Sequence, residues 1–87
     1  MEMWFCSLMS FVRIKAEGLP FQPPPGTRVW LPLFKKEEED NYTYFNVEFL
    51  DWDSREPNVI QIYVVPGESY EEEPTAQDYL DAGWERF

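Results

Sequence analysis

The longest alternating segment of the chain reads YTYFNVEFLDW, residues 42–52. One of its faces carries Thr43, Phe45, Val47 and Phe49. A repeat of two is typical of a β-strand with one buried face, so we expect this set to line the core. The segment therefore predicts a long, half-buried strand in a β-rich fold.

Two further strands are predicted beside it. Residues 59–65 alternate after a turn at 53–58, and residues 27–35 precede an exposed polar hairpin loop at 36–41. Pro32 has no N–H to donate to a ladder, which predicts an edge strand or a bulge there. The short connections favour an antiparallel meander.

The N-terminal residues 3–17 are predicted to form one more strand. Its second part alternates cleanly, while residues 4–9 are apolar on both faces. A strand with apolar residues on both faces is typical of the centre of a sheet, or of a bend where the chain changes sheet. A Pro-rich loop, residues 18–26, follows.

The tail begins with an acidic connection, residues 66–75, and ends in a predicted helix over 76–82. Thr75 is expected to cap that helix, with Asp78 completing a weaker form of the capping box. Gly83 is a plausible stop.

The sequence thus predicts one small acidic domain, residues 1–87, of the α+β class and mostly β. Its sheet is expected to be a four-stranded antiparallel meander with a short C-terminal helix. Both an open sheet and a small curled barrel resembling SH3-like or OB architectures fit the pattern. Closure into a barrel would remove the exposed edges of the sheet.

Charge is divided unevenly along the chain. Residues 1–36 carry five basic residues against two acids, net +3, whereas residues 37–87 carry two against fifteen, net −13. Such a field repels nucleic acid and anionic membranes and attracts basic surfaces. We therefore expect neither direct nucleic-acid binding nor membrane binding, but a basic protein partner.

Catalytic and cofactor chemistry find little support in the sequence. The chain has no His, its glycines are scattered, and its single Cys6 lies in an apolar segment that favours a buried core thiol. We expect a non-enzyme with no cofactor, and we interpret Asp51, Asp53 and Glu56 as a solvated acidic turn rather than a metal site. One cysteine and no recognisable signal peptide predict a cytoplasmic protein.

The basic residues of the N-terminal half lie near an aromatic ring, as nucleic-acid contacts often do. The basic residues are Arg13, Lys15 and Arg28, and the ring is that of Trp30. Because the acids far outnumber these bases, we interpret them as neutralising acids within the fold.

The acidic clusters and the tyrosines beside them are the predicted partner-binding residues. They are Glu37, Glu38, Glu39, Asp40, Tyr42, Asp51, Asp53, Glu56, Tyr70, Glu71, Glu72, Glu73, Asp78, Tyr79 and Asp81. Rows of carboxylates can occupy a groove built for a phosphate backbone, with Tyr42, Tyr70 and Tyr79 as aromatic anchors.

The resulting hypothesis is a nucleic-acid mimic: a small inhibitor that blocks the basic groove of a nuclease or another DNA- or RNA-handling enzyme. Two kinds of protein would act through this electrostatic attraction: a phage anti-defence protein, such as an anti-CRISPR factor, and a toxin immunity protein. The alternative is a non-catalytic structural or adaptor module, in which the apolar N-terminal strand completes a partner sheet or a homodimer.

Overall fold

The computed structural model describes residues 1–33, 42–67 and 74–87 of the chain. These residues form six strands and one helix. The strands are β1 (Glu2–Ser7), β2 (Val12–Ala16), β3 (Arg28–Pro32), β4 (Tyr42–Trp52), β5 (Val59–Pro66) and β6 (Glu85–Arg86), and the helix is α1 (Ala76–Asp81). The mostly β class is confirmed.

All six strands belong to one sheet in the order β3-β4-β5-β1-β2-β6, which curls into a half-barrel. Strands β3, β4 and β5 form the predicted antiparallel meander. The strand number was wrong, because the described sheet has six strands rather than four. In addition, β1 and β5 run parallel.

The extra strands come from the two ends of the sequence. The single strand predicted over residues 3–17 is a hairpin, in which β1 pairs with β2 and residues 8–11 form the turn. This turn contains no Gly, Pro, Asn or Asp, so its sequence carries none of the strong turn signals. Strand β6 has only two residues and forms by pairing with β2, which a local pattern does not reveal.

Strand β1 lies inside the sheet, as residues 4–9 suggested. It pairs with β2 on one side and with β5 on the other. Both backbone edges of β1 are therefore occupied within the sheet. Pro32 lies in β3, the edge strand, as expected from its missing N–H.

A bulge divides strand β4 into two halves. The register shifts between Val47 and Phe49, so Leu50 lies opposite the core residue Ile62 and Phe49 lies opposite Tyr63. One extra residue exchanges the two faces of a strand. The predicted core positions up to Val47 are buried, but the prediction for Phe49 was wrong: this ring is 44% exposed and stacks on Tyr63.

The inner face of the half-barrel holds the core. Its centre is an aromatic cluster in which Trp84 lies 5.7 Å from Phe45 and 4.9 Å from Tyr79 between ring centroids. Trp84 Nε1 also donates a hydrogen bond of 2.7 Å to the carbonyl oxygen of Pro32. Trp84 precedes β6 and Pro32 ends β3, so this one side chain connects the two edges of the curled sheet.

The helix begins and ends close to where the sequence predicted. Thr75 accepts a hydrogen bond from the N–H of Asp78, whose carboxylate accepts one from the N–H of Thr75, which completes the capping box. Gly83 has a φ of +101° and follows the C-cap residue Ala82. Within the described residues no helix is long and apolar enough to cross a lipid bilayer.

Candidate partner-binding surface

Ion pairs neutralise several basic side chains of the described chain. The Arg13–Glu85, Lys15–Glu2 and Arg55–Asp53 pairs have N–O distances of 3.2, 3.6 and 2.7 Å. The interpretation that Arg13 and Lys15 neutralise acids within the fold is thus confirmed. The pairs are exposed and contribute little stability. Their effect is to cancel positive charge on the surface, so the excess acids define the field.

Two arginines of the outer sheet face lie against aromatic rings. The Cζ atom of Arg13 is 4.3 Å from the centroid of Trp4, and that of Arg28 is 4.4 Å from the centroid of Tyr44. Trp30 packs edge-on against Tyr44. These contacts use the flat faces that a nucleic-acid base would need for stacking.

The strand directions divide the surface into two opposite ends. At one, which we call the loop end, lies the β1–β2 turn, together with three of the four residues that flank the undescribed segments, namely Leu33, Tyr42 and Gly67. At the other, the turn end, lies the turn of residues 53–58. Strand β4 joins the two ends and at ~3.3 Å per residue spans ~30 Å.

The loop end is where the chain enters and leaves residues 34–41 and where it enters residues 68–73. Leu33 and Tyr42 flank residues 34–41, whose sequence has four acids and two lysines; Gly67 precedes residues 68–73, which contain four glutamates. The N–H of Gly67 donates to the carbonyl oxygen of Tyr44 at 3.0 Å, so both attachment points are held by the same strand pair. Two segments whose sequences carry a combined net charge of −6 are therefore attached at this end of the sheet.

The acids of the turn end are separate from that group. Asp51 is the last residue but one of β4, and Asp53 and Glu56 lie in the following turn. The guanidinium of Arg55 hydrogen-bonds Asp53 and holds the pKa of this carboxyl below its ordinary value. The sequence grouped these three acids with the acidic loops, whereas the fold holds them at the far end of β4.

The helix acids and Tyr79 have roles within the fold. Asp78 caps its own helix, and Asp81 accepts a hydrogen bond of 2.7 Å from Gln77. Tyr79 is only 1% exposed and packs on Phe45 and Trp84. The expectation that Tyr79 anchors a partner is therefore wrong, because the helix turns this ring into the core.

Tyr42 is exposed at the loop end, where an aromatic contact residue was predicted. The other predicted loop residues lie outside the described residues. They are Glu37, Glu38, Glu39, Asp40, Tyr70, Glu71, Glu72 and Glu73.

Sequence reasoning missed an apolar patch at the same end. Leu8, Met9 and Phe11 of the β1–β2 turn are exposed, and the N–H of Phe87 donates to the carbonyl oxygen of Phe11 at 3.3 Å. The apolar run at residues 4–9 was visible, but its assignment to one continuous strand hid the exposed turn. The alternation of polar and apolar residues is interrupted between Ser7 and Val12, and this interruption was the available signal for the turn.

The residues that the structure describes contain neither a candidate metal cluster nor a reactive thiol. Its acids and Cys6 form no group of three or more that could hold an ion. Cys6 is buried, as predicted, and burial raises the pKa of its thiol to about 11. A shallow groove beside Trp4 contains Arg13 and Lys15, but Glu85 and Glu2 already pair with both cations.

No protein family matches this chain, and no significantly similar curated protein or solved structure was found.

Proposed function

We propose that this chain is a small acidic inhibitor that blocks the basic nucleic-acid groove of a nuclease or another DNA- or RNA-handling enzyme in the cytoplasm. One observation carries the proposal: the two most acidic segments are attached at the same end of a single sheet. A phage anti-defence protein, including an anti-CRISPR factor, and a toxin immunity protein are the two settings that fit.

Electrostatics explain how such an end would act. Acidic segments attached at one end of a sheet would present negative charge of the kind that a phosphate-binding groove attracts. Among the described bases, Arg13, Lys15 and Arg55 pair with acids and Arg28 lies against an aromatic ring, so few remain to weaken the attraction. The inhibitor would exclude nucleic acid by occupying its groove, and it needs no catalytic step or cofactor of its own.

Inhibition assays at two salt concentrations test the proposal. A panel of purified nucleases, comprising CRISPR-associated, restriction, toxin and RNA-cleaving enzymes, is assayed with and without the chain. The Debye length falls from about 30 Å at 0.01 M salt to about 8 Å at 0.15 M, so inhibition should weaken as salt rises. A chain that inhibits no member of the panel at low salt overturns the proposal.

Two charge-matched variants locate the surface. One changes Glu71, Glu72 and Glu73 to Gln; its control, at the turn end, combines E17Q, D51N and E56Q. Each removes three negative charges, and Asp53 is left intact because it pairs with Arg55. We expect the first variant to weaken inhibition at least tenfold and the second by less than twofold. Equal losses would show that net charge alone acts, without a directed surface.

The structural or adaptor alternative has one observation in its favour. Trp30 and Phe49 on the outer sheet face are 56% and 44% exposed, and aromatic residues are enriched in protein interfaces. Light scattering on the purified chain separates this function from the first. A dimer that persists in high salt and dissociates on Trp30→Ser and Phe49→Ser substitution favours the adaptor, and a monomer counts against it.

A further inference from the structure

Strand β3 is an outermost strand of the sheet. It pairs with β4 on one side, and no described strand lies on its other side, which we call the open edge. An unpaired edge presents a row of backbone N–H and carbonyl groups to any extended chain that meets it. Partner proteins use such edges by adding a strand of their own.

The backbone of β3 directs alternate residues towards the open edge. A backbone N–H of β4 donates to the carbonyl oxygen of Thr27 at 2.9 Å, so Thr27 faces β4. Pro32 faces the opposite way, because its carbonyl oxygen accepts the hydrogen bond from Trp84. By alternation, the backbone groups of Arg28 and Trp30 also face the open edge. Each of these two residues offers one N–H and one carbonyl group to an added strand.

The side chains of the same two residues are exposed beside the open edge. Trp30 is 56% exposed and packs edge-on against Tyr44, and the guanidinium of Arg28 lies over the other ring face of this pair's neighbourhood at 4.4 Å from the Tyr44 centroid. Trp, Tyr and Arg are the residue types that dominate binding energy in protein interfaces. The three described ion pairs use other bases, so Arg28 has no carboxylate partner within the described chain.

We propose that β3 accepts an extended segment of a partner protein as an additional antiparallel strand, with an acidic side chain opposite Arg28 and an apolar side chain opposite Trp30. Hydrogen bonds to the open edge fix the added strand, the carboxylate pairs with the guanidinium, and the apolar side chain covers the indole. This contact goes beyond the proposed inhibition and does not depend on it.

The described residues favour this occupant over two others. A second copy of β3 has the sequence RVWLP, which contains no acid to pair with Arg28, and its Pro32 has no N–H to donate. The sugar–phosphate backbone of DNA carries acceptors but no donors, so it leaves the carbonyl groups of the open edge unpaired. An extended peptide supplies both donors and acceptors, and its side chains supply the missing carboxylate.

Amide hydrogen exchange of the intact chain, followed by NMR, tests the added strand. The probe is a capped peptide of alternating β-branched residues, with one Glu placed to face Arg28 and one Ile placed to face Trp30. We expect the N–H groups of Arg28 and Trp30 to exchange at least tenfold more slowly in its presence. The N–H groups of the turn at residues 53–58 serve as the internal control and should not change.

N-methylation of the peptide distinguishes strand pairing from contact through side chains alone. A methyl group on the nitrogen of the Ile removes the donor to the Trp30 carbonyl oxygen and should weaken binding at least tenfold. A methyl group on the adjacent nitrogen, which points away from β3, should weaken it by less than twofold. Equal effects at the two positions overturn the proposal.

Two charge-matched variants test the carboxylate. Arg28→Gln should weaken binding of the Glu peptide ~2–5-fold, the range of a cross-strand charge pair, and leave binding of the same peptide with Gln unchanged. The control is Arg86→Gln, because Arg86 is exposed on β6 at the other edge of the sheet, and it should change neither.

Three results would overturn the added strand. They are absence of protection at Arg28 and Trp30 with excess peptide, equal protection by a DNA oligonucleotide, and protection in the free chain that accompanies a dimer in light scattering. No nuclease takes part in these measurements, so failure of the inhibitor and failure of the added strand are distinguishable.

Discussion

Replacing Trp84 by Phe should reveal how strongly one side chain holds the curled sheet together. The side chain is 3% exposed, and its Nε1 donates to the carbonyl oxygen of Pro32 on the opposite edge. Phe retains an aromatic ring but has no N–H. The variant therefore removes the hydrogen bond and part of the packing against Phe45 and Tyr79.

Two costs contribute to the expected loss. A hydrogen bond of this kind contributes about 1 kcal/mol net. The smaller ring leaves about 40 Å³ unfilled, which at ~24 cal/mol per Å³ costs about 1 kcal/mol more. The free energy of unfolding should therefore fall by about 2 kcal/mol, or ~8–16 °C in melting temperature for a domain of this size.

Urea unfolding followed by circular dichroism measures the loss, with Trp30→Phe as the matched control. Trp30 is 56% exposed and lies on the outer face, so its replacement should change the free energy of unfolding by less than ~0.5 kcal/mol. A W84F variant no less stable than W30F would refute the conclusion that Trp84 connects the sheet edges.

Two further predictions concern buried or crowded positions. A Cβ at Gly67 would collide with the ring of Tyr44, whose hydroxyl donates to the Gly67 carbonyl oxygen at 2.9 Å. Gly67→Ala should therefore lower the free energy of unfolding, measured by thermal unfolding, by about 1–3 kcal/mol. Wild-type stability of this variant would mean that the ring moves freely. Burial raises the pKa of the Cys6 thiol to about 11 from an ordinary 9.0. The contribution of the neutral thiol to the free energy of unfolding should therefore be complete below pH 9. It should be lost as the pH rises towards 11, because the thiol of the unfolded chain ionises first. Unfolding of wild type and Cys6→Ala across that range measures it, and identical pH profiles would contradict it.

Patterns carried by local chemistry were predicted correctly. The alternation from Thr43 to Val47 located the core face, and the missing N–H of Pro32 located an edge. The reciprocal hydrogen bonds of Thr75 and Asp78 located the start of the helix. In each case the cause lies within a few residues, so the sequence alone suffices.

Features that depend on distant partners were missed. The bulge before Phe49 exchanges the two faces of β4, and nothing in the alternation marks it. Strand β6 exists through its pairing with β2. The hairpin turn at Phe11 uses a backbone conformation that the residue type disfavours, so turn chemistry did not reveal it.

The same distinction applies to the candidate surface, of which one part was predictable from the sequence and another was not. Charge is a property of composition, and the acidic excess was therefore visible from the start. Which acids share an end depends on strand direction, and this separated Asp51, Asp53 and Glu56 from the loop end. Tyr79 was misjudged because its acidic neighbours indicated exposure, whereas the helix directs the ring inward.

The interior position of β1 has a consequence for synthesis. Its parallel partner β5 lies far along the chain, with Met3 paired to Ile60. Until residues 59–66 leave the ribosome, the apolar segment around Trp4, Phe5 and Cys6 has only the β2 hairpin beside it, and isolated hairpins are marginally stable. Nascent chains shorter than this would expose a strand with two apolar faces, so truncated products should aggregate while the whole chain folds.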